Sequence, residues 1–116
     1  MSRARTAIAV GLVAALVGAI ALASSALAGG STTITVGDDF FSPSSTTISK
    51  GTKVKFKWVG DSEHDVVKKK GPGRGFSSGI TDRQGVNFTK KFKKTGTYKL
   101  ICSIHKKDMK LTLKVQ

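Results

Sequence analysis

Beyond the N-terminal segment, the sequence holds one cysteine, two histidines and one methionine: Cys102, His64, His105 and Met109. Three of these fall within eight residues, CSIHKKDM at 102–109. A thiolate, two imidazoles and a weak axial thioether form the donor set that suits copper in electron transfer. The thiolate favours Cu(I), imidazole serves both oxidation states, and a distant sulfur lets the oxidation state change with little rearrangement. Each residue also has a plainer reading. A lone cysteine is commonly a buried, inert thiol. His64, between Glu63 and Asp65, could be an ordinary loop histidine, Met109 could fill a core, and Lys106 and Lys107 could be a solvated turn. Zinc is disfavoured, because structural zinc takes four strong ligands and a thioether is a poor fourth. A cysteine nucleophile would need its histidine from elsewhere in the fold and an oxyanion site. The sequence offers neither, and no enzymatic activity is expected.

The elements that must hold these residues read as short strands. In TKVKFKWV, Val54, Phe56 and Trp58 fall on one face and Lys53, Lys55 and Lys57 on the other, a strand with one face in a core and one in water. TTITV (32–36) is β-branched and alternating. FFSPSS follows as a turn, with Pro43 barred from ladder pairing. Val66 and Val67 make a short apolar piece after His64, and KKKGPGRG (68–75) reads as a loop. VNFTKKF aligns Val86, Phe88 and Phe92, with Lys90 an exception. GTYKLIC aligns Tyr98, Leu100 and Cys102, so that the sulfur points inward at the end of its strand. KLTLKV aligns Leu111, Leu113 and Val115. Six or seven strands, frequent turns and no helical period predict an all-β chain, an antiparallel β-sandwich whose edges the lysines protect.

The compartment follows from the N-terminus. Arg3 and Arg5 precede an uncharged run, AIAVGLVAALVGAIALA (7–23), and then SSALAGG with small residues at Ala26 and Ala28. That order is the layout of a secretory signal cut after Ala28, with an uncleaved membrane anchor as the alternative. The expected mature chain is residues 29–116, 116 − 28 = 88 residues, and it forms one domain in a periplasmic or other extracytoplasmic space. A secreted domain this small often depends on disulfides, and one cysteine cannot pair within the chain, so a metal becomes the expected staple. Removing Arg3 and Arg5 from the net charge of +13 leaves +11. Such a surplus points to an acidic protein partner or an anionic membrane surface, with nucleic acid not expected outside the cytoplasm.

The segment TTISKGTKVKFKWVGDSEHDVV with His64, the approach KKTGTYKLIC to Cys102, and CSIHKKDM followed by KLTLKV resemble the cupredoxins, in particular the small plastocyanin- and azurin-like blue copper proteins. The resemblance implies a Greek-key β-sandwich, a monomer and one type 1 copper ion. It places His64, Cys102 and His105 as copper ligands and Met109 as the axial one. It further implies a one-electron carrier whose His105 edge reaches the surface, with Lys106, Lys107 and the Lys68–Lys70 segment attracting an acidic redox partner. Copper storage or delivery is the alternative function. Two departures stand out. Ile104 and Lys106 occupy places where many relatives carry proline, and Asp65 follows His64 where relatives often have asparagine. In those relatives the side chain looks like a brace to the residue after the cysteine, here Ser103. An aspartate there can accept from Ser103 but adds negative charge near a thiolate, which lowers the reduction potential if Asp65 is buried.

Overall fold

Alternation along the chain decides which faces turn inward. The computed structural model describes residues 29–116, so the expected signal at 1–28 lies outside the described residues. Eight strands follow in order: β1 (Ser31–Gly37), β2 (Phe40–Ser42), β3 (Ser45–Ile48), β4 (Thr52–Trp58), β5 (Val67–Lys70), β6 (Gly85–Phe92), β7 (Gly96–Ile101) and β8 (Lys110–Val115). Strand β4 alternates strictly, burying Thr52, Val54, Phe56 and Trp58 and exposing Lys53, Lys55 and Lys57. Ile34 and Val36 of β1 join them, and Tyr98, Leu100, Leu111, Leu113 and Val115 of β7 and β8 supply the opposing layer. All of this core lies within residues 29–116.

The strands form two four-stranded sheets, β2-β1-β4-β6 and β3-β8-β7-β5. The all-β sandwich is as expected, but its sheets are mixed. β1 pairs with β4, and β3 with β8, in parallel, while the other pairs run antiparallel. Alternation fixes which side chains face inward and carries no information on strand direction. The parallel pairs arise because β3 leaves for the second sheet between β2 and β4.

Three local expectations are corrected. FFSPSS is more than a turn: Phe40 to Ser42 pair with β1, a cis Ser42–Pro43 peptide follows, and β3 begins at Ser45. Pro43 itself stays outside both ladders. Lys68, Lys69 and Lys70 belong to β5 and not to a loop, which starts at Gly71. Val86 is half exposed. The register shifts between Phe56 and Lys57, so Phe88 pairs with Phe56 while Val86 pairs with outward-facing Lys57. The extra residue, Asn87, is a bulge that flips the face of everything before it.

The strands define two ends. At one, called upper here, lie the β1–β2 hairpin tip, residues 59–66, residues 80–84 and residues 102–109. At the other, lower end, the Lys50 amide meets the Gln116 carbonyl at 2.8 Å and the Gly51 amide meets Phe92 at 2.6 Å.

Candidate metal centre

Cys102 leaves β7 fully buried, in line with inward-facing Tyr98 and Leu100. The residues after it fold back on themselves. The His105 amide donates to the Cys102 carbonyl at 3.1 Å, and the Met109 amide to the His105 carbonyl at 2.9 Å. The Cys102 amide donates to the Met109 carbonyl at 3.1 Å, which closes the loop just before β8. His64 arrives from the β4–β5 connection, held by paired backbone bonds to Thr81 at 3.1 Å in each direction. The Trp58 indole donates to the same Thr81 carbonyl at 3.0 Å. The last core residue of β4 therefore braces the segment that carries His64.

The three side chains converge. Donor atoms of His64, Cys102 and His105 all lie within 4.8 Å of one another. Cys102 Sγ is 3.8 Å from His64 Nδ1 and 3.6 Å from His105 Nδ1. A sulfur and a nitrogen bound about 2.3 and 2.0 Å from one metal, at trigonal angles, are separated by roughly 3.7 Å. The spacing thus fits three donors around a single ion. Met109 is fully buried and tied by its backbone to both Cys102 and His105.

Both imidazoles turn Nδ1 inward and offer Nε2 to a carboxylate. His64 Nε2 is 3.0 Å from Asp38 Oδ1, and His105 Nε2 is 3.1 Å from Asp39 Oδ1. A proton on Nε2 leaves the Nδ1 lone pair free for a metal, and the carboxylate fixes the ring's orientation. The two acids are consecutive at the hairpin tip, where Asp39 adopts φ 68°, a left-handed conformation that aspartate tolerates better than most residues. Asp38 also accepts from the amides of Asp61 at 3.0 Å and Ser62 at 2.9 Å. The His64 contact first, and then these amides, hold the Asp38 carboxyl down at about 2. Gly60 makes this approach feasible: a Cβ there would stand 2.1 Å from Asp38 Oδ1.

Burial pushes the Cys102 thiol above its ordinary value; the Asp65 and Ile104 amides oppose this, and the Asp65 carboxylate adds to it. Asp65 is itself buried, 4% exposed. It accepts from the Ser103 amide at 2.7 Å and from the Ser103 hydroxyl at 2.6 Å. The His105 side chain is 29% exposed, on the side that Asp39 caps. Lys106 and Lys107 are exposed. Lys68 is not available for docking, because its Nζ is spent on the carbonyls of Pro72, Gly73 and Arg74. Asp38 and Asp39 are the site residues that sequence reasoning missed. The one signal available was two adjacent acids in a chain otherwise dominated by lysine.

The model of the copper-binding proteins of the plastocyanin/azurin family matches residues 28–116. No curated protein matches the chain. Among solved structures, a mutant plastocyanin of fern is 29% identical over 72% of this chain and 99% of its own, with a TM-score of 0.61. An oxidised amicyanin mutant is 16% identical over 75% of this chain and 83% of its own, with a TM-score of 0.66, a likeness of fold. A copper-containing nitrite reductase from Thermus scotoductus is 26% identical over 73% of this chain but only 22% of its own, with a TM-score of 0.62. A buried thiol and two imidazoles spaced for one ion, on a mixed β-sandwich that the family model spans from end to end, make this chain a member of the plastocyanin/azurin family of copper-binding proteins, the cupredoxins, with copper as its cofactor.

Proposed function

We propose that this protein is a blue copper electron carrier, with His64, Cys102 and His105 as the copper ligands and Met109 as the axial one. The observation that carries the reading is the trio of Nδ1, Sγ and Nδ1 donors within 4.8 Å, set in a frame that leaves little to rearrange. When bound, copper supplies a one-electron couple, Cu(II)/Cu(I). The chain's residues do the rest. Asp38 and Asp39 hold the rings, Asp65 ties the residue after the cysteine, and the strand ends keep Cys102 and Met109 away from water. Such pre-organisation favours fast, reversible electron exchange over release of the ion.

The surface near His105 suits a partner. Among the described residues, the large apolar side chains that stand exposed are Phe40, Val59, Ile80, Val86 and Ile104, all at the upper end. A groove of about 470 Å³ on β5, β7 and β8 is rimmed by Lys69, Lys70, Lys99, Lys106 and Lys110. An acidic redox protein, guided by these lysines and seated against Ile104 beside the ligand loop, would take or give its electron through His105. The chain works after export, on the strength of the N-terminal 28 residues.

The test is repeated reduction and reoxidation of the copper-loaded protein beside a competing Cu(I) chelator. A carrier keeps its copper through many cycles and gives a reversible one-electron wave. Prompt loss of Cu(I) to the chelator would assign the protein to copper storage or delivery instead.

A further inference from the structure

Charge is segregated along the sandwich. The chain has seven acidic side chains, and all stand at the upper end: Asp38 and Asp39 in the hairpin, Asp61, Glu63 and Asp65 after β4, Asp82 before β6, and Asp108 in the ligand loop. The lower end has Lys50, Arg74, Lys90, Lys91, Lys93 and Lys94 and no Asp or Glu side chain. Four of its cations, Arg74, Lys91, Lys93 and Lys94, rim an open groove of about 470 Å³ floored by Phe76, Phe92 and Tyr98. Lys90 lies across that floor, its Nζ 4.9 Å from the Phe76 ring centre. Among the described residues no lysine or arginine is ion-paired with a carboxylate.

The chain also enters the domain here. The Gly30 carbonyl accepts from Lys53 at 2.8 Å, and β1 starts at Ser31 beside the start of β4. Immediately upstream in sequence is the segment that contains the uncharged apolar run 7–23. Kept as an anchor, such a run would hold the cationic end, from which it leaves the domain, nearest the bilayer. The six-residue strand β7 separates this end from Cys102 by about 20 Å, more than two Debye lengths at physiological salt.

We infer that the lower end is a docking surface for an anionic phospholipid bilayer, holding the copper site outward. A bilayer presents mobile negative charge that exposed lysines meet without fixed geometry, and each such lysine strengthens binding several-fold. The lower end carries cations with no acid among them, whereas the upper end mixes both signs, so the bilayer is met by the lower end. The copper end and its own lysines stay free for a redox partner.

The experiment is sedimentation of the copper-loaded domain beginning at Gly29, which contains every core residue among the described ones, with two kinds of vesicle. One is phosphatidylcholine alone, and the other contains about one-third phosphatidylglycerol. Binding is expected only to the second and is expected to weaken as salt rises. Replacing Lys93 and Lys94 together by glutamine should weaken it by about 20- to 30-fold, while the same change at Lys106 and Lys107 should alter it less than about threefold. The visible copper band, unchanged in both variants, reports that they fold, and vesicle binding is read whether or not the site exchanges electrons. Failure to bind anionic vesicles, or equal losses from the two pairs, would overturn the inference. A Lys93/Lys94 variant that binds vesicles normally but exchanges electrons slowly with an acidic protein would overturn it in favour of a protein partner.

Discussion

Replacing Asp65 with asparagine removes a negative charge beside the site and keeps the shape. The amide oxygen of asparagine still accepts from the Ser103 amide, and the Ser103 hydroxyl can turn to accept from the new NH2 group. Ser103 adjoins Cys102, so a metal on the Cys102 sulfur lies roughly 6 to 7 Å from the carboxylate, where a unit charge counts for about 2.5 kcal/mol at an effective dielectric of about 20. Burial of Asp65 makes that dielectric the appropriate one, since bulk water does not reach the pair. For a one-electron couple, at about 59 mV per tenfold change, this is about 100 mV. The sign follows from charge: a carboxylate favours Cu(II) over Cu(I), so Asp65→Asn raises the reduction potential. Voltammetry of both proteins, with the visible band recorded to show that the ligands are unchanged, measures it. A variant with the same band and a potential unchanged within about 20 mV, or lowered, would refute the reasoning.

Other perturbations test the frame and the surface. Leu100→Ala, in the fully buried inner face of β7, should cost about 2 to 5 kcal/mol in a denaturant titration through the cavity it leaves. The Asp38 carboxyl is held at about 2 in the folded protein against an ordinary 3.8. Its contribution is therefore complete above about pH 4 and is lost as pH falls from there towards 2, and the denaturation midpoint of the copper-free protein should drop in that window, less so in Asp38→Asn. Replacing Lys106 and Lys107 with glutamine should slow electron exchange with an acidic redox protein at low salt and flatten its salt dependence, as stopped-flow rates would show.

Much of the fold was legible because the strands have unlike faces. β4 announces itself by lysine alternating with Val54, Phe56 and Trp58, and β7 and β8 do so through Tyr98, Leu100, Leu111 and Leu113. Strand direction left no such trace, so the parallel β1–β4 and β3–β8 pairs were missed. A bulge is equally silent, and Asn87 turned Val86 outward against the period that Phe88 and Phe92 obey. Lys90, the apparent exception, keeps the inward register opposite Val54 and sets its ammonium over the Phe76 and Phe92 rings. At the site, Cys102, His105 and Met109 were readable because they share one loop. Asp38 and Asp39 act on His64, 26 residues away, and on His105, in a different connection altogether. Only the meeting of the hairpin tip with those loops gives the two acids a role.

Whether Cys102 meets copper together with two imidazoles is read from an absorption spectrum. Adding one equivalent of Cu(II) to the copper-free protein should produce an intense visible band from charge transfer between the Cys102 thiolate and Cu(II), and Cys102→Ser should abolish that band while the sandwich stays folded. A protein with no strong visible band, or a band that survives Cys102→Ser, would contradict the account.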